Sequence, residues 1–284
     1  MQKLLFSFVA YYLRNTTLER GRYRLLKWAR PIGRKIGRTL GRKVVRTKSK
    51  FVIELDLRDW IPQDIYLTGE FEPETTAIVK KLVKPGDSAI DVGANIGYFS
   101  LLFAHCVGNA GRVYSFEPAP AVSIALKNNI KLNNYKNIEV NNFALSDHSG
   151  LTQFYLGPED NTGLSSFRKP RQSTGSFDVE LKPFDDLSID DHKITLVKID
   201  VEGAELQVLR GMTKLLQDLR PNLLLEITDS FLRELDDSMS SLFTFLDQFG
   251  YECYMIENGI VCLLKNYPRE LPVQWNALFT CHKL

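Results

Sequence analysis

Closely spaced cysteines are missing from this chain of 284 residues. Its four cysteines, Cys106, Cys253, Cys262 and Cys281, sit in apolar or strand-like surroundings, and none forms a Cys-x-x-Cys pair. The four histidines are scattered as well, which excludes the ligand spacing of a zinc site. Such usage predicts reduced, buried thiols and a reducing, cytoplasmic compartment. No apolar run approaches the roughly 20 residues that cross a bilayer. Residues 4–12 are apolar but too short, and Tyr11-Tyr12-Leu13-Arg14 offers no small-residue cleavage site for a signal peptide. The Gly-Lys-Ser/Thr ending of a phosphate loop is absent, and so is the middle glycine of a dinucleotide fingerprint.

The remaining composition is ordinary for a soluble globular protein, with 44% hydrophobic and 25% charged residues. The net charge of +2 hides a division: residues 1–50 hold 15 Lys or Arg and one acid, Glu19, which leaves the remainder at −12. We therefore read a basic N-terminal extension over 1–50 and one α/β domain over 51–284. In the extension Trp28, Ile32, Ile36 and Leu40 recur at spacings of four, along one helical stripe. Pro31, Gly33, Gly37 and Gly41 predict one or two broken segments rather than one long helix. Four roles stay open for it: a solvated extension, peripheral contact with an anionic membrane surface, electrostatic RNA binding, or a lid over substrate.

The stretch around which the domain is organised is Ile90-Asp91-Val92-Gly93-Ala94-Asn95-Ile96-Gly97-Tyr98-Phe99. It reads as a buried strand, a tight glycine loop and a helix over residues 98–106, an arrangement that receives a nucleotide-like cofactor. Gly93 and Gly97 let backbone approach a ligand closely, and the helix start offers free N–H groups to a carboxylate. Asp91 stands before the loop, and Glu117 stands 20 residues beyond Gly97 at the end of a second strand over 112–116. An acid there accepts both ribose hydroxyls. With no phosphate signature, S-adenosylmethionine fits better than NAD or ATP: Asp91 would face its amino group and Glu117 its ribose. Asn95 and Tyr98 complete the loop's cofactor-binding set. A third strand over 138–145 places Asn142, Phe143 and Ala144 beside an adenine pocket.

Elsewhere, residues 50–57 and 65–67 read as strands and 75–82 as a helix. The segment 66–72 before that helix could close over the cofactor, although acids such as its Glu70 and Glu72 are more often solvated. An excursion over about 151–183, rich in Ser, Thr, Asn and Gly, lies on the substrate side of the sheet. The apolar run 194–199 reads as a buried parallel strand leading into Asp200, Glu202 and Glu205. The run 223–225 reads as its neighbour, ending in Glu226, so that Asp200 and Glu226 share one rim. An amphipathic helix over 238–249, a hairpin around Glu257-Asn258-Gly259 and a last strand over 276–282 complete the chain.

The ordered set Asp91-x-Gly93-Ala94-Asn95-x-Gly97, Phe116-Glu117-Pro118, Ala144-Leu145-Ser146-Asp147 and Lys198-Ile199-Asp200-Val201-Glu202-Gly203-Ala204-Glu205 resembles the FkbM-type methyltransferase family. The resemblance covers about residues 70–265. It implies a Rossmann-like class I methyltransferase fold, with a mostly parallel, doubly wound seven-stranded sheet finished by a C-terminal antiparallel strand pair. It also implies S-adenosylmethionine-dependent O-methylation of a sugar, glycan, glycolipid or related natural-product hydroxyl. On this reading Asp200 takes the hydroxyl proton or holds a Mg²⁺-like ion, with Glu202 and Glu226 assisting catalysis and Glu226 as a second ligand to the ion. Two rivals remain: an RNA or protein methyltransferase gripping a polyanion through its basic leader, and a cofactor-binding scaffold without turnover. The acidic body and the missing Asn/Asp-Pro-Pro-Tyr motif argue for a hydroxyl acceptor.

Overall fold

In the computed structural model, residues 2–15, 22–158, 165–169, 175–257, 260–264 and 272–282 are described. The chain opens with helices α1 (Gln2–Asn15) and α2 (Arg22–Leu40), then a hairpin of β1 (Arg42–Arg46) and β2 (Val52–Asp56). Helix α3 (Trp60–Thr68) packs against both α1 and α2. Phe6, Val9, Ala10, Leu13, Ala29, Ile36 and Val45 belong to the same buried cluster as Ile65, Leu67 and Phe103 of the body. Residue 50 falls in the turn of the β1–β2 hairpin, so the basic leader shares its core with the α/β body.

Two local expectations are corrected. Helix α2 runs unbroken through Pro31, because its buried side is held against α1 and α3. Its glycines act as contact points: a Cβ on Gly37 would come 2.1 Å from the Leu57 carbonyl oxygen, and one on Gly33 within 2.9 Å of Phe6. Of the spaced stripe, Ile36 is buried and Ile32 and Leu40 pack on the core, while Trp28 faces solvent. Residues 65–67 are helical, not a strand. Asp59 caps the Ile61 N–H at 3.1 Å and Gly69 closes α3 with φ of 77°, so the end signals override the β-favouring Ile-Tyr-Leu run.

After α4 (Pro73–Leu82) come β3 (Ser88–Val92), α5 (Tyr98–Val107), β4 (Arg112–Phe116), α6 (Pro120–Leu132) and β5 (Ile138–Asn141). The single strand expected over 138–145 is divided. Residues of β6 (Ala144–Leu145) leave the main sheet to pair with β8 (Gly175–Lys182), which also pairs with β7 (Gly150–Leu156). This small sheet is the excursion, docked through Phe154, Val179 and Leu181 onto Ala119 and Ala144. The remaining elements are β9 (Ile194–Ile199), α7 (Glu205–Arg210), α8 (Thr213–Asp218), β10 (Asn222–Ile227), α9 (Asp229–Arg233), α10 (Met239–Asp247), β11 (Glu252–Glu257), β12 (Ile260–Leu263) and β13 (Trp275–Thr280). Asn258 and Gly259, the expected hairpin turn, lie outside the described residues.

The main sheet has the order β12-β11-β13-β10-β9-β3-β4-β5. It is mostly parallel, with β13, β11 and β12 antiparallel at the C-terminal side. The edge strand β12 makes eight strands rather than seven. Chain order reverses at β3, which has β4 on one side and β9 on the other. Ligands of such sheets bind beyond the strand ends at this reversal.

One further contact joins leader and body. The β2 edge away from β1 is met by two amides of and just beyond α6. Val52 N–H donates to Asn133 Oδ1 and Glu54 N–H to Asn129 Oδ1, each at 2.7 Å. Asn133 Nδ2 returns a bond to the Val52 carbonyl at 2.6 Å, and Asn129 Nδ2 donates to the Ile96 carbonyl of the glycine loop at 2.9 Å.

Gly37→Ala forces α2 away from Leu57. Overpacking of this kind costs about 1–3 kcal/mol, which urea unfolding of the full chain should register as a lowered midpoint.

Candidate functional site

The ends of β3 and β9 open into a cavity of about 460 Å³. That lies within the roughly 300–1,000 Å³ typical of small-molecule sites. The loop after β3 forms one wall. Gly93 (φ 79°), Asn95 (φ 49°) and Gly97 (φ 95°) all take the left-handed conformation. A Cβ on Gly93 would lie 1.9 Å from the Asp200 carbonyl oxygen, so only glycine lets this loop meet the end of β9. Helix α5 starts at Gly97 with no side-chain cap, which leaves its first N–H groups for a ligand.

Asp91 is buried at the β3 end and accepts from Ser100 Oγ at 2.5 Å. Burial pushes its carboxyl up to about 6, against the pull of Lys198. Glu117 accepts from Asn95 N–H and Ala119 N–H, each at 2.9 Å, and burial pushes it up to about 7. Both acids line the cavity, as do Gly93, Asn95, Tyr98 and Ala144. The Tyr98 hydroxyl lies 3.3 Å from Thr76 Oγ1, and its ring packs edge-on against Phe51 and Phe71. Asn142 and Phe143 do not line the cavity. Asn142 is held by Ser123 and Lys127 of α6, while Phe143 packs edge-on against Phe116 beneath the Lys182 ammonium.

The opposite wall is a charged cluster. One carboxylate oxygen from each of Glu72, Asp200 and Glu226 lies within 4.8 Å of the others. Lys198, only 3% exposed, projects from β9 beneath them, with Nζ 2.8 Å from Asp200 Oδ2 and 4.5 Å from the Phe99 ring centre. Burial works against its charge, but Asp200, Glu72, Asp91 and Glu226 outweigh burial and hold the ammonium firmly protonated. Burial likewise opposes charge on Asp200, yet Lys198 outweighs it and keeps this carboxyl below its ordinary value. Glu226 is raised well above its ordinary value by burial and by Asp200, and Glu72 is raised by burial. Glu226 also accepts from Gln274 Nε2, and Glu72 accepts from Asn276 Nδ2 at 3.1 Å.

Glu202 reaches the same cavity with φ of 56°, pushed up to about 8 by burial and by Asp200. Arg168 from the excursion pins it. The guanidinium donates to the Glu202 carbonyl at 2.8 Å, to Glu234 at 3.0 Å, and lies over the Phe231 ring. Glu205 turns away from the cavity. Its Oε1 accepts from Gly203 N–H at 3.0 Å, and its buried Oε2 has no hydrogen-bond partner among the described residues. It braces the loop of acids, and burial pushes it up to about 7.

Three contributors escaped the sequence reading. Glu72 carries no pattern that separates it from a solvated acid. Arg168 sits in an excursion without periodicity. Lys198 did leave a signal: a lysine inside an apolar buried run must meet carboxylates.

Comparison with known proteins identifies the family. The Methyltransferase FkbM domain matches residues 91–253. The chain belongs to the FkbM methyltransferase family. Methyltransferase 1 of Beauveria bassiana (strain ARSEF 2860) is 32% identical over 167 residues, covering 51% of this chain and 67% of that protein. The 31-O-demethyl-FK506 methyltransferase FkbM of Streptomyces tacrolimicus is 40% identical over 85 residues, 30% of this chain and 32% of that one. The crystal structure of Methyltransferase FkbM from Methylobacillus flagellatus KT superposes with a TM-score of 0.46 at 17% identity, covering 78% of this chain and 53% of that one. The chain thus spans about two thirds or less of these relatives. The activity that goes with the family is S-adenosylmethionine-dependent methyl transfer.

Glu205 supplies a pH test. Folding raises its carboxyl from 4.5 to about 7, so the folded chain keeps a proton that the unfolded chain releases across that window. Its contribution to stability therefore falls as pH rises. Glu205→Gln keeps an acceptor for Gly203 and loses the titration, so its unfolding midpoint should decline less than wild type between about pH 5 and about pH 8. Glu205→Ala orphans the Gly203 N–H and should cost about 1–3 kcal/mol at about pH 5, where the wild-type carboxyl keeps its proton.

Proposed function

We propose that the chain transfers a methyl group from S-adenosylmethionine to a hydroxyl of a sugar, glycan, glycolipid or related natural product, with Asp200 as proton acceptor. The observation that carries this reading is the contrast within the acid cluster. Lys198, 2.8 Å away, holds the Asp200 carboxyl below its ordinary value, while burial raises those of Glu72 and Glu226. One carboxylate that ionises readily among acids that resist ionisation suits a single proton transfer. The name of the Streptomyces tacrolimicus relative supports an oxygen acceptor for that enzyme. The four free cysteines support a reducing, cytoplasmic setting.

The residues of the β3 loop fit the cofactor chemically. Asp91 would pair with its amino group, the uncapped start of α5 with its carboxylate, and Glu117 with its ribose hydroxyls. Ala144 would contact the adenine. When bound, the cofactor supplies a methyl carbon on a sulfonium, which leaves as a neutral thioether. The chain's part is alignment and proton removal. An acceptor hydroxyl in the cavity would donate to Asp200, which would hold its oxygen in place. Asp200 would take the proton that the acceptor hydroxyl gives up on methylation; an alkylated hydroxyl is strongly acidic, so a carboxylate of low proton affinity would suffice. Burial and the neighbouring Asp200 raise both Glu202 and Glu226, so each resists adding a competing charge. Phe154, Ser165 and Phe167 of the excursion form an aromatic and polar wall for the acceptor.

Glu72, Asp200 and Glu226 fit a resident Mg²⁺ poorly, because Lys198 already occupies the ion-pairing position on Asp200. We assign to its ammonium the charge that a metal would bring, and no step runs through an ion.

Calorimetric titration with S-adenosylhomocysteine should show binding that Glu117→Ala weakens and Asp200→Asn leaves intact. Methyl transfer to a panel of glycan and macrolide alcohols should fall about 10²–10⁴-fold in Asp200→Asn and be unchanged by EDTA. Full turnover in Asp200→Asn would overturn the assignment of the base.

A further inference from the structure

We propose that the outer face of α1, together with a cationic cleft at its C-terminal end, seats this chain on an anionic phospholipid bilayer, with a headgroup phosphate in the cleft. The inference is independent of the methyl-transfer reading. Helix α1 is apolar on two sides. Phe6, Val9, Ala10 and Leu13 are buried against the body, while Leu4, Phe8 and Tyr11 are 78%, 68% and 63% exposed, with Leu5 and Tyr12 beside them. Positions 4, 5, 8, 11 and 12 fall within about a third of the helix circumference, so they form one stripe. Aromatic and aliphatic side chains on a helix face are what the headgroup–acyl boundary accommodates.

The stripe leads to a cleft of about 640 Å³ that contains Arg14, Lys43, Arg46, Lys48 and Lys50 and no acid. Arg14, the basic residue of the last turn of α1, is stacked over Tyr66 with its guanidinium carbon 4.7 Å from the ring centre. Among the described residues, Arg14, Lys43 and Lys50 pair with no carboxylate, while Lys48 is 3.6 Å from Glu70. Neither α1 nor β1 contains an acid, and α2 adds the exposed cations Arg24, Lys27, Arg34 and Lys35.

Charge decides between occupants. A second copy would set like-charged surfaces against each other, and a polyanion such as RNA would leave the aromatic stripe facing water. An anionic bilayer meets both the stripe and the cations. Among the described residues no helix is long and apolar enough to cross a membrane, so contact of this kind is with the surface. Helix α3, against which α1 packs, begins with Trp60 and Ile61 in the wall of the catalytic cavity.

Flotation of the full chain with vesicles tests this. Phosphatidylcholine vesicles containing phosphatidylglycerol should carry the protein, and phosphatidylcholine alone should carry far less. Phe8→Glu with Tyr11→Glu, and separately Lys43→Glu with Arg46→Glu, should each lower partitioning by about tenfold or more. Both pairs should leave the unfolding midpoint and S-adenosylhomocysteine binding unchanged. No binding to phosphatidylglycerol vesicles, or binding that ignores both pairs, would overturn the proposal. So would a dimer in sedimentation equilibrium that Phe8→Glu abolishes, or binding of an RNA oligonucleotide while vesicles are ignored.

Discussion

The ammonium of Lys198 is the charge on which the site depends. A lysine this deeply buried survives only if carboxylates surround it, and here four of them do: Asp200, Glu72, Asp91 and Glu226. They come from β9, from the segment before α4, from β3 and from β10. One cation therefore ties the glycine-loop end of the cavity to the end lined by Asp200 and Glu226. Its closest partner is Asp200, and that choice divides the acids into one that ionises readily and others that resist ionisation. A cluster of carboxylates without it would repel itself and shed its charge by taking up protons.

Much of the framework could be read from the chain because parallel strands buried on both faces leave apolar runs. The strand that carries Asp91, Ser88–Val92, is buried at all five positions, and the run 194–199 is buried at all but one. The glycine loop was equally legible, since its conformation demands residues that tolerate positive φ. Where the reading failed, tertiary contact had replaced local preference. The 65–67 segment has strand composition but helix ends. The Pro31 region has breakers that serve instead as points of close approach. The division at residues 142–143 depends on β8, a strand more than 30 residues away, which no local pattern announces.

The candidate site was legible to the same degree and for the same reason. Asp91, Glu117, Asp200, Glu202 and Glu226 all reach the cavity because each sits at or just beyond a strand end, where position in the chain fixes position in space. Asn142 and Phe143 follow a strand end too, yet α6 and the small sheet take their side chains. Glu72 and Arg168 arrive from connections between elements, whose course depends on packing rather than on period.

The amides of Asn129 and Asn133 on β2 have a further consequence. A two-stranded sheet ordinarily exposes two rows of unsatisfied backbone groups, and either row can recruit a foreign strand. Here one row is already answered by side chains that mimic a neighbouring strand at Val52 and Glu54. The hairpin is thereby closed to self-association along that side, without adding a strand, and a protein with a sticky, cationic amino-terminal layer remains protected there from edge-to-edge polymerisation.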